Sequence, residues 1–170
     1  MKINISQVLQ AMGGRQPFRF VRPVEKVVGA LDRFWLEGDI SVAGEVVNDG
    51  LFLKVAGIIT GVADTSCHRC LKSFQKPVEV AFAENYRSED SRDPDVPDDD
   101  YTYFGGEEID ITELIRETLL LAEPLKIVCD DNCKGLCLKC GADLNVAACG
   151  CDRETIDPRL ASLKKLLDQD

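Results

Sequence analysis

Between Phe34 and Tyr86 the alternation of apolar and polar residues suits strands. Phe34 to Val47 is rich in β-branched and apolar residues, and Asn48-Asp49-Gly50 follows it. Asp-Gly between two such runs is a strong hairpin signal, because a type I′ turn needs two positive φ angles. Leu51 to Thr65 is the expected partner strand, with Leu53, Val55, Ile59 and Val62 among its apolar members and Gly57 and Gly61 marking bends or a bulge. Cys67-His68-Arg69-Cys70 makes the next reversal. Phe74 to Tyr86 then forms a third strand with Val78, Val80 and Phe82 on one face. The expected result is an antiparallel meander, joined by N-terminal strands around residues 2–5 and 18–28.

Ser88 to Asp100 interrupts this pattern with seven acidic residues, two prolines and almost no apolar side chains. It reads as a solvated linker, the alternative being a lure for a basic partner. Helical periodicity follows. Asp110 and Glu113 make a capping-box-like start, and Ile111, Leu114, Ile115, Thr118, Leu119 and Ala122 line one side up to Pro124. A second, short helix starts at Asp157-Pro158, with an apolar stripe of Leu160, Leu163, Leu166 and Leu167 that either docks or meets a partner. The fold class is therefore α+β: an antiparallel β meander with one packed helix, then a C-terminal zinc-knuckle module plus short helix. The expected domains are residues 1–126, holding the acidic loop 88–100, and residues 127–170.

Charge changes the choice of partner. The net charge is -10, so the long-range field repels nucleic acid and attracts basic proteins. The opening from Met1 to Leu9 has no signal-peptide or transit-peptide character, and no run approaches the roughly 18 apolar residues of a membrane span. The expectation is a cytoplasmic protein with no membrane contact. In that reducing setting clustered cysteines are metal ligands or redox groups before they are disulfides.

The eight cysteines fall as Cys67-x2-Cys70, Cys129-x3-Cys133, Cys137-x2-Cys140-Gly141 and Cys149-Gly150-Cys151. Short-spaced pairs suit zinc, which takes four soft ligands at tetrahedral angles. Cys137, Cys140, Cys149 and Cys151 form a compact local site. Cys67 and Cys70 are then joined by Cys129 and Cys133, which closes a long loop. Exchange of Cys133 with Cys137 between the sites is the competing assignment. Redox chemistry at Cys67-x2-Cys70 is disfavoured because that motif lies between strands and not at a helix start. Iron–sulfur ligation also fits four thiolates, although paired turns of this kind are more often zinc sites. His68, the single histidine, sits inside a metal turn and reads as exposed. There is no P-loop, dinucleotide fingerprint or nucleophile elbow, so the chain reads as no enzyme, with no small-molecule substrate.

The run from Ile109 to Ala122, then Pro124-Leu125, Cys133-Lys134-Gly135-Leu136-Cys137 and Cys140-Gly141-Ala142-Asp143-Leu144-Asn145, resembles the YceD-like family. Asp157-Pro158-Arg159-Leu160 resembles its ending; Lys2-Ile3-Asn4-Ile5 and Cys67-His68-Arg69-Cys70-Leu71 resemble its front half. Glu123 and Asp143 depart from its usual residues. Some members lack the last cysteine cluster but keep the equivalents of Cys67 and Cys70 and ligand-like residues near Cys129 and Cys133, so the resemblance favours the pairing given above and a second site that is an accessory stabiliser. The resemblance implies a part in 23S ribosomal RNA accumulation and large-subunit assembly. Acidity points to a basic large-subunit ribosomal protein as partner. The alternative is direct contact with, or help in processing, 23S RNA, through Lys134, Lys139 and Arg153, with Arg159, Lys164 and Lys165. These cations stand among Asp130, Asp131, Asp143 and Asp152 and have no aromatic platform for bases.

Overall fold

The structure, a computed structural model, describes residues 1–29, 34–91 and 101–152. The helix expected from Asp157, and the acidic segment from residue 92 to 100, lie outside the described residues. The chain forms two compact units. One comprises Met1–Thr65 with Phe74–Leu125, and the other Ser66–Ser73 with Lys126–Asp170.

The first unit is built on a five-stranded sheet of order β2-β3-β4-β5-β6, from Arg15–Pro23, Leu36–Asn48, Leu53–Ser66, Ser73–Ser88 and Thr102–Phe104. Strands β2, β3 and β4 pair antiparallel, with Phe18 opposite Gly44 and Val46 opposite Val55. The expected meander is correct in its centre and needs correction around it. The last strand, β6, runs parallel to β5. The opening strand β1, Lys2–Asn4, instead pairs with β7, Glu108–Asp110, in a separate two-stranded sheet. The stretch expected as strand 18–28 begins earlier and turns helical after Pro23, as α2 at Glu25–Val28, while α1 occupies Ser6–Leu9. These single turns are too short to leave a periodic signal.

The β3–β4 reversal is centred on Gly50 and Leu51, with the Asp49 N–H donating to the Phe52 carbonyl at 3.0 Å. Of the residues around it only Gly50 has positive φ, at 94°, so the expected type I′ turn on Asp49-Gly50 does not form. Gly57 is not a bend, whereas Gly61 lies opposite the irregular stretch of β3. Gly57 faces Gly44 across the ladder, and a Cβ on either would stand 2.8 Å from the ring of Phe82 or Phe18. The two rings, 6.4 Å apart, occupy the space that the absent side chains leave. The register shift lies on β3, between Glu37 and Ser41.

One face of the sheet is core. Ile40, Val42 and Val46 of β3 and Leu53, Val55 and Ile59 of β4 are buried with Phe82, Tyr86 and Phe104. Helix α3, Thr112–Leu121, adds Ile115 and Leu119 to this cluster, as its periodicity predicts. The buried Trp35 indole N–H donates to the Leu119 carbonyl at 3.2 Å. The expected capping box is replaced by another device. Asp110 lies in β7, one residue before the N-cap Ile111, and its carboxylate accepts from the Thr112 N–H at 2.9 Å, while Glu113 pairs with Arg116 at 2.7 Å.

The Thr112 hydroxyl and the Met1 amino group hold the Asp110 carboxyl down to about 2, below its ordinary value near 3.8. Because the folded value is the lower one, this contribution is complete above about pH 4 and is lost as pH falls towards 2. Asp110→Ala should cost about 1 kcal/mol at neutral pH. Urea denaturation of both proteins at a series of pH values should show that difference shrinking below about pH 4; a difference constant down to pH 2 would contradict it.

Candidate metal centres

All eight cysteines lie in the second unit, none is in a disulfide, and their sulfurs form two groups of four. Cys67, Cys70, Cys129 and Cys133 make one; Cys137, Cys140, Cys149 and Cys151 make the other, and within each group the sulfurs lie within 4.8 Å of one another. Cys133 stands with Cys67 and not with Cys137.

The paired cysteines are presented by two copies of one turn. In the first, Leu71 N–H donates to the Cys67 carbonyl at 2.8 Å and Cys67 N–H to the Lys72 carbonyl at 2.9 Å. In the second, Gly141 N–H donates to the Cys137 carbonyl and Cys137 N–H to the Ala142 carbonyl, both at 2.8 Å. The residue after the second cysteine is left-handed in both, with φ of 61° at Leu71 and 73° at Gly141. Glycine meets this need without strain at Gly141. Leu71 meets it at a cost and is the only non-glycine residue with positive φ among the described residues.

Arg69 and Asn145 lace the first cluster together. The Arg69 guanidinium donates to the carbonyls of Asp131 at 3.1 Å and Cys133 at 2.8 Å. The Asn145 amide donates to the Cys133 sulfur at 3.4 Å, and its oxygen accepts the Lys134 N–H at 2.7 Å. Leu136 N–H reaches the Arg69 carbonyl at 3.1 Å, and a Cβ at Gly135 would come within 2.9 Å of that same oxygen. Spacing alone gives no hint of Arg69 or Asn145, because these roles depend on segments far apart in sequence. His68 is tied to Ile127, its backbone N–H donating to the Ile127 carbonyl at 2.8 Å and its ring Nδ1 accepting the Ile127 N–H at 3.4 Å. Lys134 and Lys139 are exposed, whereas Arg153, Arg159, Lys164 and Lys165 lie outside the described residues.

The dimensions suit a single ion. Cys67 and Cys133 sulfurs are 3.8 Å apart and Cys70 and Cys129 sulfurs 3.7 Å. Four sulfurs about 2.3 Å from a tetrahedral centre would stand about 3.8 Å from each other. Electrostatics point the same way. Burial pushes the Cys67 thiol up, but backbone groups of Cys129, Cys70 and Arg69 outweigh it and bring it down to about 6. Backbone groups of Cys140 and Lys139 bring Cys137 to about 6 likewise. Burial, with Cys70, Cys67 and Cys133 alongside, pushes Cys129 up to about 12, and contact with Cys140 and burial do the same to Cys151. Each cluster thus ionises one thiol readily and resists ionising all four until a cation shares the charge. Either group can hold a metal ion.

The family described as Large ribosomal RNA subunit accumulation protein YceD matches residues 55–167. The chain is 32% identical over 158 residues to the Arabidopsis thaliana chloroplastic YCED homolog 1, covering 76% of this chain and 49% of that protein. It is 32% identical over 130 residues to the uncharacterised Mycobacterium tuberculosis protein Rv2926c, covering 76% of this chain and 61% of that one. The Bacillus subtilis protein YlbN is 34% identical over 113 residues, covering 66% and 64%. The chain therefore spans about half to two thirds of these relatives. No solved structure matches it. The chain belongs to the YceD family.

Leu71→Gly supplies a test of the shared turn. Leu71 is 68% exposed, so little apolar burial is lost with it. Relief of the left-handed strain should raise stability by about 0.5–1 kcal/mol after allowing for glycine's extra freedom in the unfolded chain. Denaturant midpoints check this, and the reciprocal Gly141→Leu should move them the other way.

Proposed function

We propose that this chain is a non-enzymatic ribosome-biogenesis factor, stabilised by two structural zinc ions, that supports large-subunit assembly by binding a basic ribosomal protein. The observation that carries the biological role is membership of a family named for large ribosomal RNA accumulation. No helix among the described residues is long and apolar enough to cross a membrane, which leaves a cytoplasmic ribosomal setting open.

Zinc is the metal that the donor set favours. Four thiolates drawn from short turns suit a borderline-soft, redox-inert ion. Multi-iron clusters place several atoms between their ligand sulfurs and need a wider cage than sulfurs 3.7–3.8 Å apart provide. Four protein ligands leave no open position for a catalytic water, and the one histidine is already engaged by Ile127. Both support a structural role. Protein purified without added metal should contain about two zinc equivalents and lack visible absorption near roughly 400 nm. Cys67→Ser should lower the zinc content to about one and loosen the whole cysteine-rich unit, whereas Cys149→Ser should loosen only the second cluster. Equal effects in hydrogen exchange would contradict the assignment.

The partner reading rests on charge. A net charge of -10, with Asp98-Asp99-Asp100 consecutive, presents carboxylates where a ribosomal protein meets phosphates. Direct RNA binding is the second reading, favoured by exposed Lys134 and Lys139, though exposed Asp130 and Asp131 stand nearby in sequence. The purified protein is to be titrated at about 0.15 M salt against basic large-subunit ribosomal proteins and against 23S fragments. Binding to one basic protein, weakened when Asp98, Asp99 and Asp100 become Asn, is the expected outcome. RNA affinity that falls by about tenfold or more when Lys134 and Lys139 are neutralised would overturn it.

A further inference from the structure

The outward face of the five-stranded sheet carries an inference of its own. An antiparallel sheet with one face on the core normally shows charged and polar residues on the other. Here the register sets Arg19, Ala43 and Ile58 side by side, and next to them Val21, Ser41 and Thr60. Val21 is 50% exposed, Ile58 41% and Val62 42%. Ala43 and, on β5, Ala81 and Ala83 are exposed as well. The middle of the face is thus apolar and small, with Arg19 reaching out from the edge strand.

Charges gather at the two ends with opposite sign. At one end Arg15 and Lys54 lie on either side of Val47, with Glu45 paired to Arg15 at 3.1 Å. At the other end Glu37, beside Val62, joins Asp39 and Asp64. The nearby Asp64 carboxylate raises the Glu37 carboxyl above its ordinary value, so these two groups stand close together.

We infer that this face binds a second copy of the chain, sheet against sheet, about a two-fold axis passing between the Ala43–Ile58 and Ser41–Thr60 pairs. Such an axis lays the Arg15 and Lys54 end of one copy over the Glu37, Asp39 and Asp64 end of the other, twice. A uniformly basic partner would be repelled at one end and a nucleic acid at the other, so a second copy is the occupant that satisfies both. Strands β2 to β5, about 4.8 Å apart, over about 30 Å of their length give about 600 Å² per copy. That is the low end for a specific interface and fits a weak dimer. The residues named for this face are not those proposed to meet ribosomal partners, so the two readings stand or fall separately.

The test is sedimentation of the full chain under reducing conditions, over a range of protein and salt concentrations. The expected result is a monomer–dimer equilibrium that shifts to monomer as salt rises. Ile58→Asp, with its fold checked by circular dichroism, should weaken the dimer by about tenfold or more. Lys54→Glu or Glu37→Lys alone should weaken it several-fold, and both changes in one chain should restore it, because the two positions meet only across the axis. A chain that stays monomeric to about millimolar concentration, a dimer indifferent to Ile58→Asp, or a double variant no better than the singles would overturn the inference.

Discussion

The cysteine-rich unit depends on its sulfurs to a degree that few small folds share. Among its described residues the buried ones are Cys67, Cys70, Cys133, Cys137, Gly135 and Leu144, so almost no hydrocarbon core supports it. Units of this size hold together through staples where apolar burial is too small to offset chain entropy. Here the staple gathers ligands from two stretches of chain, Cys67 and Cys70 from a reversal between strands and Cys129 and Cys133 from the segment after α3. Close packing of four thiols disfavours ionising all of them together, and a cation sharing the charge would relieve that. Arg69, Asn145 and the carbonyls they meet fix the spacing that the sulfurs need.

The first unit solves a different problem by ordinary means. One face of its sheet buries Ile40, Val42, Val46, Val55 and Ile59 with α3 across them, and the Gly44–Gly57 pair admits two phenylalanine rings. The separate β1–β7 pair joins the core through Ile3 and Ile109. This unit is held by a shared apolar core, which sets it apart from the cysteine-rich unit.

Charge is unevenly spread over this acidic molecule. The β2 edge carries Arg15, Arg19 and Arg22, whereas carboxylates concentrate at the far end of the sheet face and in the stretch before Tyr101. A protein of net charge -10 can in this way keep a locally self-complementary surface while its overall field favours basic partners. The family shown by the match over residues 55–167 is named for large ribosomal RNA subunit accumulation.

How much was legible in the sequence follows from range. The central strands and α3 were readable because periods of two and of 3.6 are local properties of the chain. The cysteine pairs were readable because each turn carries both ligands, and glycine at position 141 marks the left-handed residue that such a turn requires. At Leu71 the same backbone is imposed on leucine, and no local rule announces it. The parallel β6 and the β1–β7 pair were decided by tertiary structure, since each is held by residues distant in sequence. The Gly44–Gly57 close approach is of the same kind. Glycine in a strand says that something comes near, and only the packed fold identifies the rings of Phe18 and Phe82.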